Sequence, residues 1–122
     1  MKNRLGMLLL RTVALLAFVG ACSSNSLSID KTTVKPGEQI KVTFKASGDF
    51  ASNAWVGIIP SNIAHGSENT NDQHDLTYQY LRKRTSGTLT FKAPTKPGKY
   101  DVRMHDTDSD GKEVTYISFE VQ

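Results

Sequence analysis

The chain is 122 residues long and carries 15 lysine and arginine residues against 12 aspartate and glutamate residues, with one cysteine. This length corresponds to about one domain. Three basic residues and no acidic residue precede Cys22, so the formal net charge of +3 belongs to the first 21 residues. The remainder is neutral, which gives no electrostatic basis for nucleic-acid binding.

The N-terminal segment is typical of a secretory signal peptide. Lys2, Arg4 and Arg11 form a positive leader, and the apolar run Thr12–Ala21 is too short for an ordinary transmembrane helix. The run ends in the letters VGAC, which resemble the lipobox of bacterial lipoproteins. This resemblance implies diacylglycerol on the Cys22 thiol and further acyl chains such as palmitate, which together give stable membrane anchoring. The alternative is an ordinary secreted protein with a free or buried cysteine.

The lipobox resemblance also implies a location in the bacterial cell envelope. Residue 23 is a serine, whereas an aspartate after the cysteine is associated with retention of lipoproteins in the inner membrane. The resemblance therefore implies the outer membrane where the cell has two membranes. We expect a signal peptide over 1–21, a lipidated polar tether over 22–26 and one folded domain over 27–122.

Most of that domain alternates apolar and polar residues, which is the period of a β-strand. Turn residues such as Gly, Pro, Asp and Ser separate the alternating segments. Six or seven short strands without an amphipathic helix predict an all-β fold, an antiparallel β-sandwich. The predicted strands are LSI (27–29), QIKVTFKA (39–46), AWVGII (54–59), LTYQYL (76–81), TLTFK (88–92), YDVRM (100–104) and VTYISFEV (114–121).

The last two strands allow a prediction of register. Asp110-Gly111 is a favoured two-residue hairpin turn, because both central residues need positive φ. A turn at these residues makes apolar positions face each other across the two strands. The predicted pairs are Tyr100 with Val121, Val102 with Phe119, and Met104 with Ile117.

The segments VKPGEQIKVTF and PTKPGKYDVRM, with Trp55 on the third predicted strand, resemble the immunoglobulin and fibronectin type III class of sandwich. The resemblance implies that Trp55 and Tyr100 are core landmarks, Tyr100 as a tyrosine corner. The disulfide of antibody domains is absent, so it implies an immunoglobulin-like relative only. Similar domains in secreted bacterial proteins have no assigned function, and the fold itself implies none.

The stretch DTDSDG (106–111) matches the first half of a calcium loop, with carboxylates at alternate positions before a glycine. The glutamate expected at the twelfth position is absent. Three interpretations stay open for Asp106, Asp108 and Asp110, which the predicted topology places at the same end as Asp49 and the basic turn 82–84. The carboxylates are solvated, or pair with the basic turn, or bind calcium together with Asp49.

The connection after the third strand, residues 60–75, is long and polar, and such loops are often functional. It contains His65 and His74 among several carboxylates. Together with His105 these histidines are candidate ligands for zinc or copper. Their spacing matches no metal signature, and the alternative is a polar surface loop ordered by its own Asn and Asp side chains.

A third candidate site is the outer face of the sheet formed by the third, sixth and seventh strands. If Trp55 and Gly57 point inward, the residues between and after them point outward. Exposed apolar, aromatic and cationic groups on a sheet are typical of contact surfaces, although a neighbouring strand or the long loop could cover them. The predicted contact face comprises Val56, Ile58, Arg103, His105 and Tyr116.

The sequence contains no nucleophile-elbow pattern, glycine-rich phosphate loop or Cys–His pair, so we expect no enzyme. The leading hypothesis is a lipid-anchored envelope module that binds a protein or glycan partner. One alternative is a metal-binding envelope lipoprotein that holds calcium, zinc or copper. The other is a purely structural envelope protein. No cofactor is expected unless calcium occupies the aspartate site.

Overall fold

The structure is a computed structural model that describes residues 25–122, in which lie eight strands and one short helix. The predicted signal peptide, Cys22 and the first part of the tether lie outside the described residues. Among the residues described, no helix is long and apolar enough to cross a membrane. The elements are β1 (Ser26–Ile29), β2 (Thr33–Val34), β3 (Gln39–Lys45), β4 (Trp55–Pro60), α1 (Glu68–Asp72), β5 (Thr77–Tyr80), β6 (Ser86–Lys92), β7 (Gly98–His105) and β8 (Glu113–Val121).

The strands form two sheets, one of three strands in the order β1-β3-β6 and one of five in the order β2-β8-β7-β4-β5. All pairs are antiparallel except the short parallel pair of β2 with β8. The predicted immunoglobulin-like β-sandwich is therefore confirmed. The strand β2 and the helix α1 are additions, because two and five residues are too short to show a period in the sequence.

The core lies between the two sheets and follows the predicted alternation. On β3, for example, Ile40, Val42 and Phe44 are buried while the residues between them are exposed. Tyr100 on β7 is buried at the edge of this core, and its hydroxyl donates a 2.7 Å hydrogen bond to the carbonyl oxygen of Lys96. This is the geometry of a tyrosine corner.

The predicted register of the last two strands is wrong by two residues. Tyr100 faces Phe119, Val102 faces Ile117, and a bulge follows Met104. The cause is the turn, since Asp110 has φ 59° but Gly111 has no positive φ. The connection instead runs from Asp106 to Lys112, closed by backbone and side-chain bonds between these two residues of 3.2 and 2.9 Å. A register shift of two residues leaves every side chain on the same face of the sheet. Val102 and Phe119 therefore both lie in the core, as predicted.

The predicted facing of β4 is also wrong. Val56 and Ile58 are fully buried in the core cluster, and Trp55 and Gly57 lie on the outer face of the sheet. A Cβ at residue 57 would lie 2.6 Å from the indole ring of Trp55, so only glycine lets the ring rest there. Both faces of β4 are covered, so its sequence is apolar throughout. The sequence therefore shows no alternation from which the inward-pointing residues could be identified.

Ile58→Ala tests this corrected orientation. We expect the substitution to lower the free energy of unfolding by about 2–5 kcal/mol, because it opens a cavity in the core. Leu76→Ala is the matched control, since Leu76 is 56% exposed and its truncation should change stability by about 0.5 kcal/mol or less. Urea unfolding of the purified protein measures both. Equally small decreases in the free energy of unfolding of both variants would indicate that Ile58 points outward.

Candidate functional site

The outer face of the five-stranded sheet is covered by the connection between β4 and β5, residues 61–76, which contains α1. This cover creates a second buried layer that is polar, unlike the core. The buried polar and charged residues of the described chain all lie in it: Glu68, Asn71, Asp101, Arg103 and His105. The long loop predicted as a polar surface is therefore a lid, and the predicted contact residues Arg103 and His105 lie beneath it.

Arg103 is the centre of this layer, and its guanidinium donates to acceptors on the sheet and the lid. Nε and Nη2 donate to the Asp101 carboxylate at 3.0 and 2.8 Å, and Nη1 donates to the Asn71 side-chain oxygen at 2.7 Å. The backbone carbonyls of Ile63 and Ala64 accept at 2.8 and 3.2 Å. These bonds use all five N–H donors of the side chain and attach the lid to β7.

Asp101 balances the buried charge of Arg103. Its second carboxylate oxygen accepts hydrogen bonds from the hydroxyls of Ser61 and Ser118, at 2.8 and 2.7 Å. The carboxylate thus accepts hydrogen bonds from the guanidinium and from two hydroxyls. The pair is therefore a satisfied buried ion pair.

His65 lies at the edge of the lid, partly exposed, and its ring packs on Tyr116 with centroids 4.3 Å apart. Its Nε2 lies 3.2 Å from Nη2 of Arg103 and 3.4 Å from the Asp101 carboxylate. Its Nδ1 lies 2.7 Å from the Glu113 carboxylate. Tyr116 itself is 51% exposed, as the sequence predicts, and faces Arg103 across the β7-β8 pair.

His105 stacks on the Trp55 indole with ring centroids 3.8 Å apart, fully buried. Its Nε2 accepts from the Asn71 amide at 2.9 Å and its Nδ1–H donates to the Trp55 carbonyl at 3.3 Å. The imidazole is therefore neutral, and burial lowers the pKa of His105 to about 4. Trp55 in turn donates its indole N–H to Glu68 at 3.0 Å, and burial raises the pKa of that carboxyl.

The three candidate histidines do not converge. His65 and His105 belong to the hydrogen-bonded layer, and His74 is exposed and bonds the Thr70 carbonyl at 2.9 Å. Within residues 25–122, the one group of three or more potential metal ligands contains no histidine. The geometry thus gives each imidazole a structural partner.

The four candidate calcium aspartates are also separated. Asp106 accepts the Lys112 N–H, whereas Asp49 and Asp110 are exposed on the surface. Asp108 joins Glu68 and Asp72, whose carboxylate oxygens lie within 4.8 Å of one another. Both oxygens of Glu68 already accept hydrogen bonds, from the Trp55 indole and the Gly111 N–H, and Asp108 accepts from the Tyr80 hydroxyl.

The loops around these aspartates do meet at one end of the sandwich, as predicted. The Thr107 hydroxyl donates to the Asn53 side chain at 3.1 Å. The Lys83 ammonium donates to the carbonyls of Gly48 and Phe50 at 2.9 and 2.8 Å. Within the part of the chain described, no arginine of the basic turn forms an ion pair with these aspartates.

A row of exposed and partly exposed side chains on β5 and directly before it was not among the predicted sites. Leu76, Tyr78 and Tyr80 share one face, and the first two are 56% and 49% exposed. Tyr78 packs edge-on against Trp55 and Tyr80, with centroids 6.1 and 5.3 Å apart. The Tyr80 hydroxyl donates to Asp108 at 2.7 Å, which raises the pKa of Tyr80 to about 12. The alternation of these three residues in LTYQYL is the sequence signal that could have revealed this row, here called the tyrosine edge.

Two clefts adjoin the tyrosine edge. One, of about 410 Å³, is lined by Tyr78, Gln79, Tyr80, Arg82 and Arg84. The other, of about 690 Å³, lies at the opposite end of β5 and has Pro60, Ile63, Leu76, Lys96 and Tyr100 among its lining residues. The first cleft combines aromatic and cationic groups.

Comparisons with known proteins give one structural neighbour to report. No family model matches the chain, and no curated protein sequence matches it. A chitin-binding domain from Burkholderia pseudomallei aligns with a TM-score of 0.44 and 13% sequence identity, covering 76% of this chain. The alignment spans 56% of that chain, so this chain matches little more than half of its length.

The buried His105 predicts a pH dependence of stability. The unfolded chain binds a proton at this imidazole below its ordinary pKa of 6.5, whereas the folded chain does so only below about 4. Between these values the unfolded state holds more protons, so the free energy of unfolding falls as the pH falls, by on the order of 3 kcal/mol. Urea unfolding between about pH 7 and about pH 4 measures this slope.

His105→Gln removes that titration and keeps an acceptor for Asn71. We expect the substitution to lower stability at every pH and to remove the His105 contribution to the slope. The raised pKa of Glu68 has the opposite effect on the pH dependence of stability. This effect is present with and without the substitution, so it cancels when the two slopes are subtracted. His74→Gln, at an exposed histidine, is the matched control and should leave the slope unchanged. A slope in the His105 variant equal to that of the unsubstituted protein would contradict this assignment.

Proposed function

We propose that the chain is a lipid-anchored binding module of the bacterial cell envelope and that its tyrosine edge contacts an envelope saccharide. The observation that supports this is Tyr78, which is 49% exposed and yet packed on two sides by Trp55 and Tyr80. An aromatic ring held in place before binding loses little conformational entropy on binding.

Saccharides suit such a surface because a sugar ring has an apolar C–H face and a polar rim. The electron-rich face of a tyrosine packs against C–H groups. Polar groups beside it then bind the hydroxyls. At this edge Asp108 lies by the Tyr80 hydroxyl, and Gln79 and Arg82 line a cleft together with both rings.

The proposed anchor would be attached beside β1, a different strand from the one that carries the tyrosine edge. Two residues separate Cys22 from Asn25, whose side chain accepts the Ser47 N–H at 3.0 Å. Covalent geometry limits this tether to about 10 Å, so the lipid lies near the end of the sandwich at which β1 begins. β1 packs against β8, which is separated from β5 by β7 and β4 in the five-stranded sheet. β1 and β5 thus lie at different lateral positions in the sandwich, whereas the turn 82–84 lies at the same end as the start of β1, because Lys83 binds the carbonyl of Gly48, the neighbour of Ser47.

Metabolic labelling with palmitate tests the anchor. We expect the label in the mature protein, and we expect Cys22→Ser to lose it completely and to release the protein from the membrane fraction, because the thiol is the acylated group. Ser23→Ala should keep the label. An unmodified Cys22 thiol in the protein purified from its native membrane would end the proposal of a lipid anchor.

Tyr78→Ala tests the binding surface. We expect the purified protein to cosediment with isolated envelope saccharide, and the variant to bind about tenfold or more weakly, because truncating a tyrosine at the centre of a contact commonly costs about 2 kcal/mol. Tyr116→Ala is the matched control, since Tyr116 is equally exposed but lies on β8. Unfolding curves verify that both variants fold. If Tyr116→Ala abolishes binding and Tyr78→Ala does not, the tyrosine edge is not the site.

A further inference from the structure

The turn after β5 has an unusual conformation for its sequence. Arg82 and Lys83 have φ of 55° and 63°, and the Arg84 N–H donates to the Leu81 carbonyl at 3.1 Å. Positive φ at both central residues and this hydrogen bond define a type I′ turn. Such turns favour Asn, Asp and Gly, because a larger side chain is disfavoured in the left-handed region. An unfavourable backbone of this kind is often found at a functional site.

Lys83 has a structural role in this turn, because its ammonium binds the carbonyls of Gly48 and Phe50. Arg82 has none, and its side chain is exposed at the cleft. Arg84 donates its Nε–H to the Leu81 carbonyl, and its guanidinium lies 5.5 Å from the Phe44 ring centroid. Among the described residues, no carboxylate lies within ion-pair distance of either guanidinium.

The cleft beside the turn joins these two arginines to the tyrosine edge. Its lining contains Tyr78, Tyr80, Arg82 and Arg84 and no acidic residue. The fifth lining residue, Gln79, donates from its side chain to the Thr90 carbonyl at 2.7 Å and thereby links β5 to β6 of the other sheet. The cleft therefore combines aromatic rings with positive charge beside a hydrogen-bonded turn.

We infer that this cleft binds an anionic saccharide, with a sugar ring on Tyr78 and its carboxylate or phosphate at Arg82 and Arg84. The inference rests on the proposed function and names the ligand class. A guanidinium presents a planar pair of N–H donors that matches a carboxylate or a phosphate. Two guanidinium groups without an acidic partner supply the complementary charge.

The acidic group at the tyrosine edge does not oppose this assignment. Glu68, Asp72 and Asp108 form their group at the hydroxyl end of Tyr80, and that hydroxyl donates to Asp108. The arginines follow Tyr80 along the chain at the end of β5. The anionic group of the ligand thus lies at the arginine end, and hydroxyls of the ligand reach the acidic side.

Calorimetric titration of the purified protein with three probes tests the inference: a galacturonic acid trimer, a galactose trimer and mannose 6-phosphate. We expect the uronic acid trimer to bind at least about tenfold more tightly than the neutral trimer, since hydrogen bonds to charged groups are the stronger ones. Binding should weaken as salt is added. Mannose 6-phosphate distinguishes phosphate from carboxylate as the preferred anion.

Arg82→Asn is the decisive variant. Asn tolerates the left-handed conformation, so the thermal midpoint should rise by a few degrees while affinity for the preferred anionic probe falls about tenfold. Arg84→Gln should lose affinity as well. Lys99→Gln, at an exposed lysine outside this cleft, is the control and should keep affinity.

The outcomes separate this inference from the proposed function. Equal binding of neutral and acidic trimers, with loss in Tyr78→Ala, would overturn the anionic ligand and leave a saccharide module. Unchanged affinity in both Arg82→Asn and Arg84→Gln would overturn the inference too. Failure of all probes to bind, while envelope saccharide still binds through Tyr78, would also reject it. If Tyr78→Ala changes no binding, the proposed function falls with it.

Discussion

The buried guanidinium of Arg103 is the interaction on which the outer layer of this sandwich depends. A charge removed from water is tolerated only when it is paired and fully hydrogen-bonded. Asp101 supplies the opposite charge, and Asn71, Ile63 and Ala64 supply acceptors from the lid. Removing one partner of such a pair leaves an uncompensated charge, at a cost of about 3–5 kcal/mol. The lid and β7 therefore form one structural unit.

This unit positions the tyrosine edge through a continuous series of contacts. Arg103 binds Asn71, the Asn71 amide binds His105, and His105 stacks on Trp55. The Trp55 indole then packs against the edge of the Tyr78 ring. The exposed ring is thus held by buried neighbours on a sheet, which is the rigid support that a binding site needs. The buried polar layer thus supports the exposed ring of Tyr78.

Alternation of polarity was sufficient to predict strands whose two faces differ, and β3 is the clearest case. It could not predict which residues of β4 point toward the core, because the residues on both sides of Val56 are apolar and both faces of the strand are covered. The register of β7 and β8 was missed because Asp110 lies in a longer loop rather than in a two-residue turn. The polar layer was not predictable, since Arg103 has the pattern of a solvent-facing residue. Its burial arises from a loop about 40 residues earlier in the chain.

The tyrosine edge is difficult to explain as structure alone. β5 is the last strand of its sheet, and exposed edge strands invite pairing with other chains unless they are short or charged. This strand has four residues, and Gln79 links it to β6, so the fold does limit that risk. Yet it keeps Leu76 and Tyr78 about half exposed, where polar residues would protect the edge better. These half-exposed side chains contribute little to the core and raise the risk of association, a cost that the proposed ligand would offset by covering them.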